Sequence, residues 1–124
     1  MDYVSHWDDP LPSKWITEPG HYEGMAVGGE RKEINGKQAV EVLFDTPRSG
    51  QARGTYYETE KALPFHLLLF KRAGLSKKML EKSDGFPLKA LVEYGRPIGF
   101  DVVRNSGDYC EVDVTSIVSA DEGR

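Results

Sequence analysis

The stretch from Thr59 to Leu75, T-E-K-A-L-P-F-H-L-L-L-F-K-R-A-G-L, is the one long helical signal in the chain, and the rest has to be arranged around it. At about 3.6 residues per turn, Ala62, Leu63, His66, Leu67, Leu69, Phe70 and Ala73 share one broad stripe, with Lys71 and Arg72 outside it. Such a stripe needs a core to face. Thr59 and Glu60 mark the start, and Gly74 followed by Leu75 has the form of a glycine C-cap. Proline has no N–H and its ring clashes one turn back, so the regular helix is expected to carry Pro64 in its first turn, with Thr59 to Leu63 as a lead-in. Phe65 and Leu68 point off the stripe, which implies cover on a second face.

Around this helix the chain reads as short strands. Thr17 to Glu33 opens on a Pro-Gly turn and continues as a half-buried strand carrying Tyr22, Met25 and Val27, with glycines that suit a sharp bend. Asn35-Gly36 is a hairpin signal, because both central residues of a type I′ turn need positive φ. Lys37 to Asp45 is the partner strand, with Val40, Val42 and Phe44 on one face. In the third strand, Gly50 to Glu58, Arg53, Thr55 and Tyr57 share one side and Ala52, Gly54 and Tyr56 the other. After the helix, Ser76 to Lys82 suits a short second helix capped by Ser76, and Pro87 to Tyr94 reads equally as a helical turn or an extended connection. Arg96 to Arg104 alternates Ile98, Phe100 and Val102 against Gly99, Asp101 and Val103. Tyr109 to Val118 is the last strand, with Cys110, Val112 and Val114 inward.

Residues 1–16 lack either periodicity and read as an extended N-terminal arm, 17–118 as the domain, and 119–124 as a flexible tail. The fold class is therefore mainly β with one central helix (α+β). Three strands, a helix and two strands is the order of a five-stranded OB-like barrel, with the helix between strands 3 and 4 plugging one open end. An open sheet covered by the helix on one face fits the same string.

The length of 124 residues suits one domain, and the single cysteine, Cys110, excludes an internal disulfide and a cysteine-rich zinc site. No apolar run is long enough for a bilayer, and the N-terminus is acidic where a signal peptide is basic, so a cytoplasmic protein is expected. His21 and Glu23 form an H-x-E without the P-C-x-x-C of a zinc deaminase. No glycine-rich loop ends in G-K-S or G-K-T, and no serine sits in a glycine elbow. No enzyme, metal or cofactor is expected.

Binding has more support. Lys71, Arg72, Lys77, Lys78 and Lys82 form a basic cluster interrupted by Glu81, against a net charge of -4. Arg31, Lys32, Lys37, Arg48, Arg53, Arg96 and Arg104 add cations on strands or at their ends, interleaved with Tyr22, Phe44, Tyr56, Tyr57 and Tyr94. A groove for a single strand needs rings for the bases and cations for the backbone. The plainer reading is a solvated surface over a core holding Phe44 and one of Tyr56 and Tyr57. Neighbours on a strand face opposite ways, so only one of those tyrosines is inside.

T-E-K-A-L opening a helix that ends K-R-A-G-L, preceded by T-E-P-G and followed by G-R-P-I-G-F-D-V and a closing strand, resembles small phage-encoded single-stranded-DNA-binding proteins of the OB type from replication and recombination gene clusters. The resemblance covers roughly residues 16–118. It implies a non-enzymatic protein of the host-cell cytoplasm that protects single-stranded DNA or hands it to replication and recombination proteins. From the residues, Arg53, Tyr57, Lys37 and Arg96, with Tyr56, are the groove candidates, and Lys71, Arg72, Lys77 and Lys78 a secondary contact. The alternative is a protein-interaction module or inhibitor that engages a host protein through Trp7, Trp15, Asp8 and Asp9. Either reading admits a homo-oligomer, because edge strands of an incomplete barrel invite pairing.

Overall fold

The computed structural model describes residues 2–5, 8, 15–47 and 49–120. Trp7, Asp9, Arg48 and most of the expected arm lie outside the described residues, as do positions 121–124 of the expected tail.

Six strands form one antiparallel sheet: β1 (Gly20–Ile34), β2 (Lys37–Thr46), β3 (Gly50–Tyr57), β4 (Ile98–Arg104), β5 (Cys110–Val112) and β6 (Val118–Ser119). The hydrogen-bonded path is β3-β2-β1-β4-β5, and β6 pairs with β4. β1 holds it together by changing partner along its length. Gly20 to Gly24 pair with β4, and Met25 to Ile34 pair with β2. The change falls where Gly24 lies against the Asp45 carbonyl, and a bulge follows between Ala26 and Gly28. A strand that bends and twists in this way turns an open sheet into a roll. The β1–β2 hairpin closes through Asn35 (φ 51°) and Gly36 (φ 78°), the turn that N-G announces.

The roll does not close into the expected five-stranded barrel. β3 and β5 come side by side, so that a Cβ on Gly54 would stand 3.4 Å from Val112 Cβ, but no ladder joins them. The expected last strand is broken in two. Asp113 Oδ1 accepts from the Thr115 N–H and hydroxyl, and Ser116 Oγ donates to the Asp113 carbonyl while itself accepting from the Asp101 N–H. This side-chain turn competes with the ladder and ends β5 after three residues. The chain re-enters the sheet as β6, which includes Ser119 of the expected tail.

The single central helix is also revised. Between β3 and β4 run a 3₁₀ turn (Glu60–Ala62) and three helices: α1 (Leu63–Arg72), α2 (Lys77–Glu81) and α3 (Leu88–Tyr94). Thr59 caps the 3₁₀ turn through the Ala62 N–H, and Pro64 sits in the first turn of α1, as its missing N–H requires. α1 stops at Gly74 (φ 81°), with Leu75 N–H on the Phe70 carbonyl and Gly74 N–H on that of Lys71. Ser76 caps α2. α3 resolves the ambiguous segment as helix, because Leu91 is needed in the core and Leu88 lies over Gly29 of β1. Of the α1 stripe, His66, Leu69 and Phe70 are buried, whereas Leu63 and Leu67 stay exposed.

The core is built from alternate residues of the strands (Val40, Val42, Phe44, Phe100, Val102 and Val112) closed by the helices. Phe44 and Phe100 pack with ring centroids 5.2 Å apart. At the helical end Tyr56, His66, Phe70 and Phe86 form a second ring cluster with mostly edge-on contacts.

Candidate nucleic-acid interface

β3 alternates as its sequence requires: Ala52, Gly54 and Tyr56 are buried, while Arg53, Thr55 and Tyr57 face outward. Tyr56 is 1% exposed and belongs to the core, so it is not a surface contact; Tyr57 is 36% exposed. The register places Tyr57 beside Ala39, Thr55 beside Glu41 and Arg53 beside Leu43.

Two clefts border this outward row. One, about 520 Å³, lies between β3, residues 15–17 and the β4–β5 turn, with Trp15, Arg53, Arg104 and Tyr109 in its walls. The other, about 430 Å³, lies between the end of β3, the β1–β2 hairpin and the start of α1, with Lys37, Tyr57 and Lys61 around it. Thr55 lines both, so the two clefts adjoin at that residue, and together they are taken as the trough beside β3.

Specific contacts fix its walls. The arm docks on the edge of β3, where Ile16 N–H donates to the Gln51 carbonyl at 2.8 Å and the Ile16 side chain is buried. That anchors Trp15, whose ring lies 4.2 Å from the Arg53 guanidinium in a cation–π stack. On the opposite wall Asn105 Oδ1 accepts from the Gly107 and Tyr109 N–H groups and sets the turn that leaves Tyr109 exposed. Arg104 reaches across to the Thr17 carbonyl and pairs with Asp108 at 3.3 Å.

The charge is mixed. Glu41 sits centrally and pairs with both Lys32 (3.2 Å) and Arg53 (3.3 Å), so part of the positive charge of the face is already neutralised. Among the described residues Lys37 and Lys61 have no ion-pair partner.

Of the residues singled out from sequence, the fold brings Arg53, Tyr57 and Lys37 to this trough and adds Trp15, which had been assigned to the alternative partner surface. It does not bring Arg96, whose N–H bonds the Ala73 carbonyl and whose side chain lies over Gly74 at the end of α1. Lys71, Arg72, Lys77 and Lys78 are on α1 and α2 and line neither cleft. Asp8 is exposed. Lys61, Arg104 and Tyr109 were missed as groove residues. The N-S-G-D turn that sets Tyr109 was visible, but its position opposite β3 required the register.

Beneath the Tyr57 end lies His66. Its Nε2 is buried with no hydrogen-bond partner among the described residues. Burial holds its pKa below the ordinary value, outweighing the Tyr57 backbone and the Glu58 charge, which act in the opposite direction. The unfolded chain therefore takes up this proton first as pH falls. The contribution of His66 to stability is complete above about pH 6.5 and is lost as pH drops from there towards the folded pKa. The melting temperature is expected to fall on acidification from about pH 7 to pH 5, and less steeply in His66→Phe; equal slopes in the two proteins would refute the assignment.

No described helix is long and apolar enough to cross a membrane, and no group of three or more His, Cys, Asp or Glu among the described residues is placed to hold a metal ion. No protein-family model matches this chain, and no curated protein matches it significantly.

Proposed function

We propose that this chain is a non-enzymatic single-stranded-DNA-binding protein that acts in the cytoplasm alongside replication or recombination enzymes. The observation that carries the reading is the pair of clefts beside β3, one lined by Tyr57, Lys37 and Lys61 and the other by Trp15, Tyr109, Arg53 and Arg104 together with Glu41, Asp108 and Glu111. Rings at intervals give stacking platforms that tolerate any base, and cations between them follow the phosphates. The eight residues of β3 extend about 25 Å, compatible with a site of a few nucleotides. The strand path, with β3 and β5 brought edge to edge, is consistent with a partly open OB-type roll, whose ligand face is strands two and three. The resemblance of the T-E-K-A-L, K-R-A-G-L and G-R-P-I-G-F-D-V runs to phage-encoded proteins of replication and recombination clusters points the same way.

Trp15 in the trough supplies the assay. Oligo(dT) is expected to quench tryptophan fluorescence at low salt, with affinity falling steeply as salt rises. Each phosphate contact contributes a log–log slope of about -0.7, so Lys37 and Lys61, the trough cations without an ion-pair partner among the described residues, give roughly -1.4. Absence of binding at low salt would end this reading.

A further inference from the structure

α1 carries more apolar surface than the core covers. His66, Leu69 and Phe70 are buried, but Leu63 is 51% exposed, Leu67 is 37% exposed, and Pro64 between them is exposed as well. The two leucines are four residues apart and so stand on the same side of the helix, and Lys71 continues their row by another four. Glu60, three residues before Leu63 in the 3₁₀ turn, extends the row the other way, because residues three apart eclipse in that geometry. Glu60 and Lys71 are exposed, and neither has an ion-pair partner among the described residues.

Read outward from the N-terminal end, the row is acid, leucine, leucine, base. Its complement is the same row reversed. That is the requirement of an isologous two-fold contact, in which residue i meets j and j meets i. The centres agree, since Leu63 and Leu67 are centred on position 65 and Glu60 and Lys71 between positions 65 and 66. One axis at that turn therefore serves both pairs. The leucines also line a cleft of about 570 Å³ together with Phe70, Leu80, Phe86 and Pro87, so the apolar surface extends from the row onto its neighbours. Phe65, which lines the Tyr57 end of the trough, lies on the opposite side of α1, so a contact through the row leaves the trough open.

We propose that this face is a homodimer interface. The α1 helices of two copies pack antiparallel across a two-fold axis, with Leu63 on the partner's Leu67 and Glu60 on the partner's Lys71. The contact stands independently of the nucleic-acid reading.

The test is sedimentation equilibrium of the full chain from micromolar to millimolar concentration at low salt. The row is at the small end of specific interfaces, so dissociation constants on the order of micromolar or weaker are expected, with association ending at the dimer because the symmetry closes. Leu63→Glu should weaken the dimer at least about tenfold, since a carboxylate would be buried against a leucine; on the monomer the acid sits at the start of a helix, where it is favourable. Glu60→Lys leaves a row with two cations and Lys71→Glu a row with two anions. Each should self-associate about five- to thirtyfold more weakly than wild type, and the two mixed in equal amounts should associate as tightly as wild type. That restoration reads the pairing even if either swap costs stability at the ends of α1. A chain that stays monomeric to millimolar concentration overturns the proposal, as does association that continues past the dimer. A dimer that Leu63→Glu leaves intact uses another surface, such as the β3 edge, and overturns it too. A mixture no tighter than its two components overturns the antiparallel pairing.

Discussion

Gly24→Ala is expected to cost about 3 kcal/mol or more and to lower the melting temperature by roughly 10–15 °C, whereas Gly28→Ala, four residues further along the same strand, should be within about 0.5 kcal/mol of wild type. The contrast comes from what a methyl group meets. At Gly24 a Cβ would sit 2.3 Å from the Asp45 carbonyl oxygen and 3.0 Å from Thr46 Cγ2; at Gly28 it would have nothing within 4 Å. The obstruction at Gly24 is backbone of a paired strand, which cannot rotate aside as a side-chain end can. It also falls where β1 leaves β4 for β2, so relief of the clash would separate two ladders. With total stabilities of about 5–15 kcal/mol for domains in general, a loss of this size is a large fraction of the whole. Thermal or denaturant melts of the two variants check it; a Gly24→Ala protein that melts with Gly28→Ala would show that β1 does not turn there.

Tyr57→Ala and Glu41→Gln should move oligonucleotide affinity in opposite directions. Loss of one stacking ring removes about 1–3 kcal/mol, or roughly 5- to 150-fold in affinity. Tyr57 also shields Ala39, its partner across the ladder, so a melt is needed to confirm that the fold survives. Glu41→Gln keeps the shape of the side chain but removes the carboxylate that holds Lys32 and Arg53. Arg53 then becomes available to phosphate while Lys32 keeps Glu30 at 3.4 Å, so binding should tighten by about two- to fivefold, and the log–log salt slope should steepen by up to about 0.7. A protein that instead uses this face to grip a host protein would show no such pairing of opposite effects on DNA. Oligo(dT) titrations over a salt series distinguish the cases.

The features legible in the sequence are those set by neighbouring residues. Thr59, Pro64 and Gly74 placed the start and stop of α1, Asn35-Gly36 placed the hairpin, and strict alternation put Tyr57 opposite Tyr56. Long-range packing decided the rest. Pro87 to Tyr94 has no strong cap and became a helix because the core takes Leu91. The last strand looked continuous because Cys110, Val112 and Val114 alternate, yet D-V-T-S folds back on its own backbone. Arg96 looked like a groove cation at a strand end, but β4 delivers that end to the terminus of α1. Most consequential for the site, the meeting of Glu41 with Arg53 depends on the offset between β2 and β3, which composition and spacing do not encode.

The missing ladder between β3 and β5 has a mechanical consequence. Those edges bear the two walls of the larger cleft, with Arg53 on one and Glu111 on the other, and no main-chain hydrogen bond clamps them together. Under the proposed reading, a strand whose bulk varies from purine to pyrimidine would enter this aperture without the loss of any main-chain rung between β3 and β5.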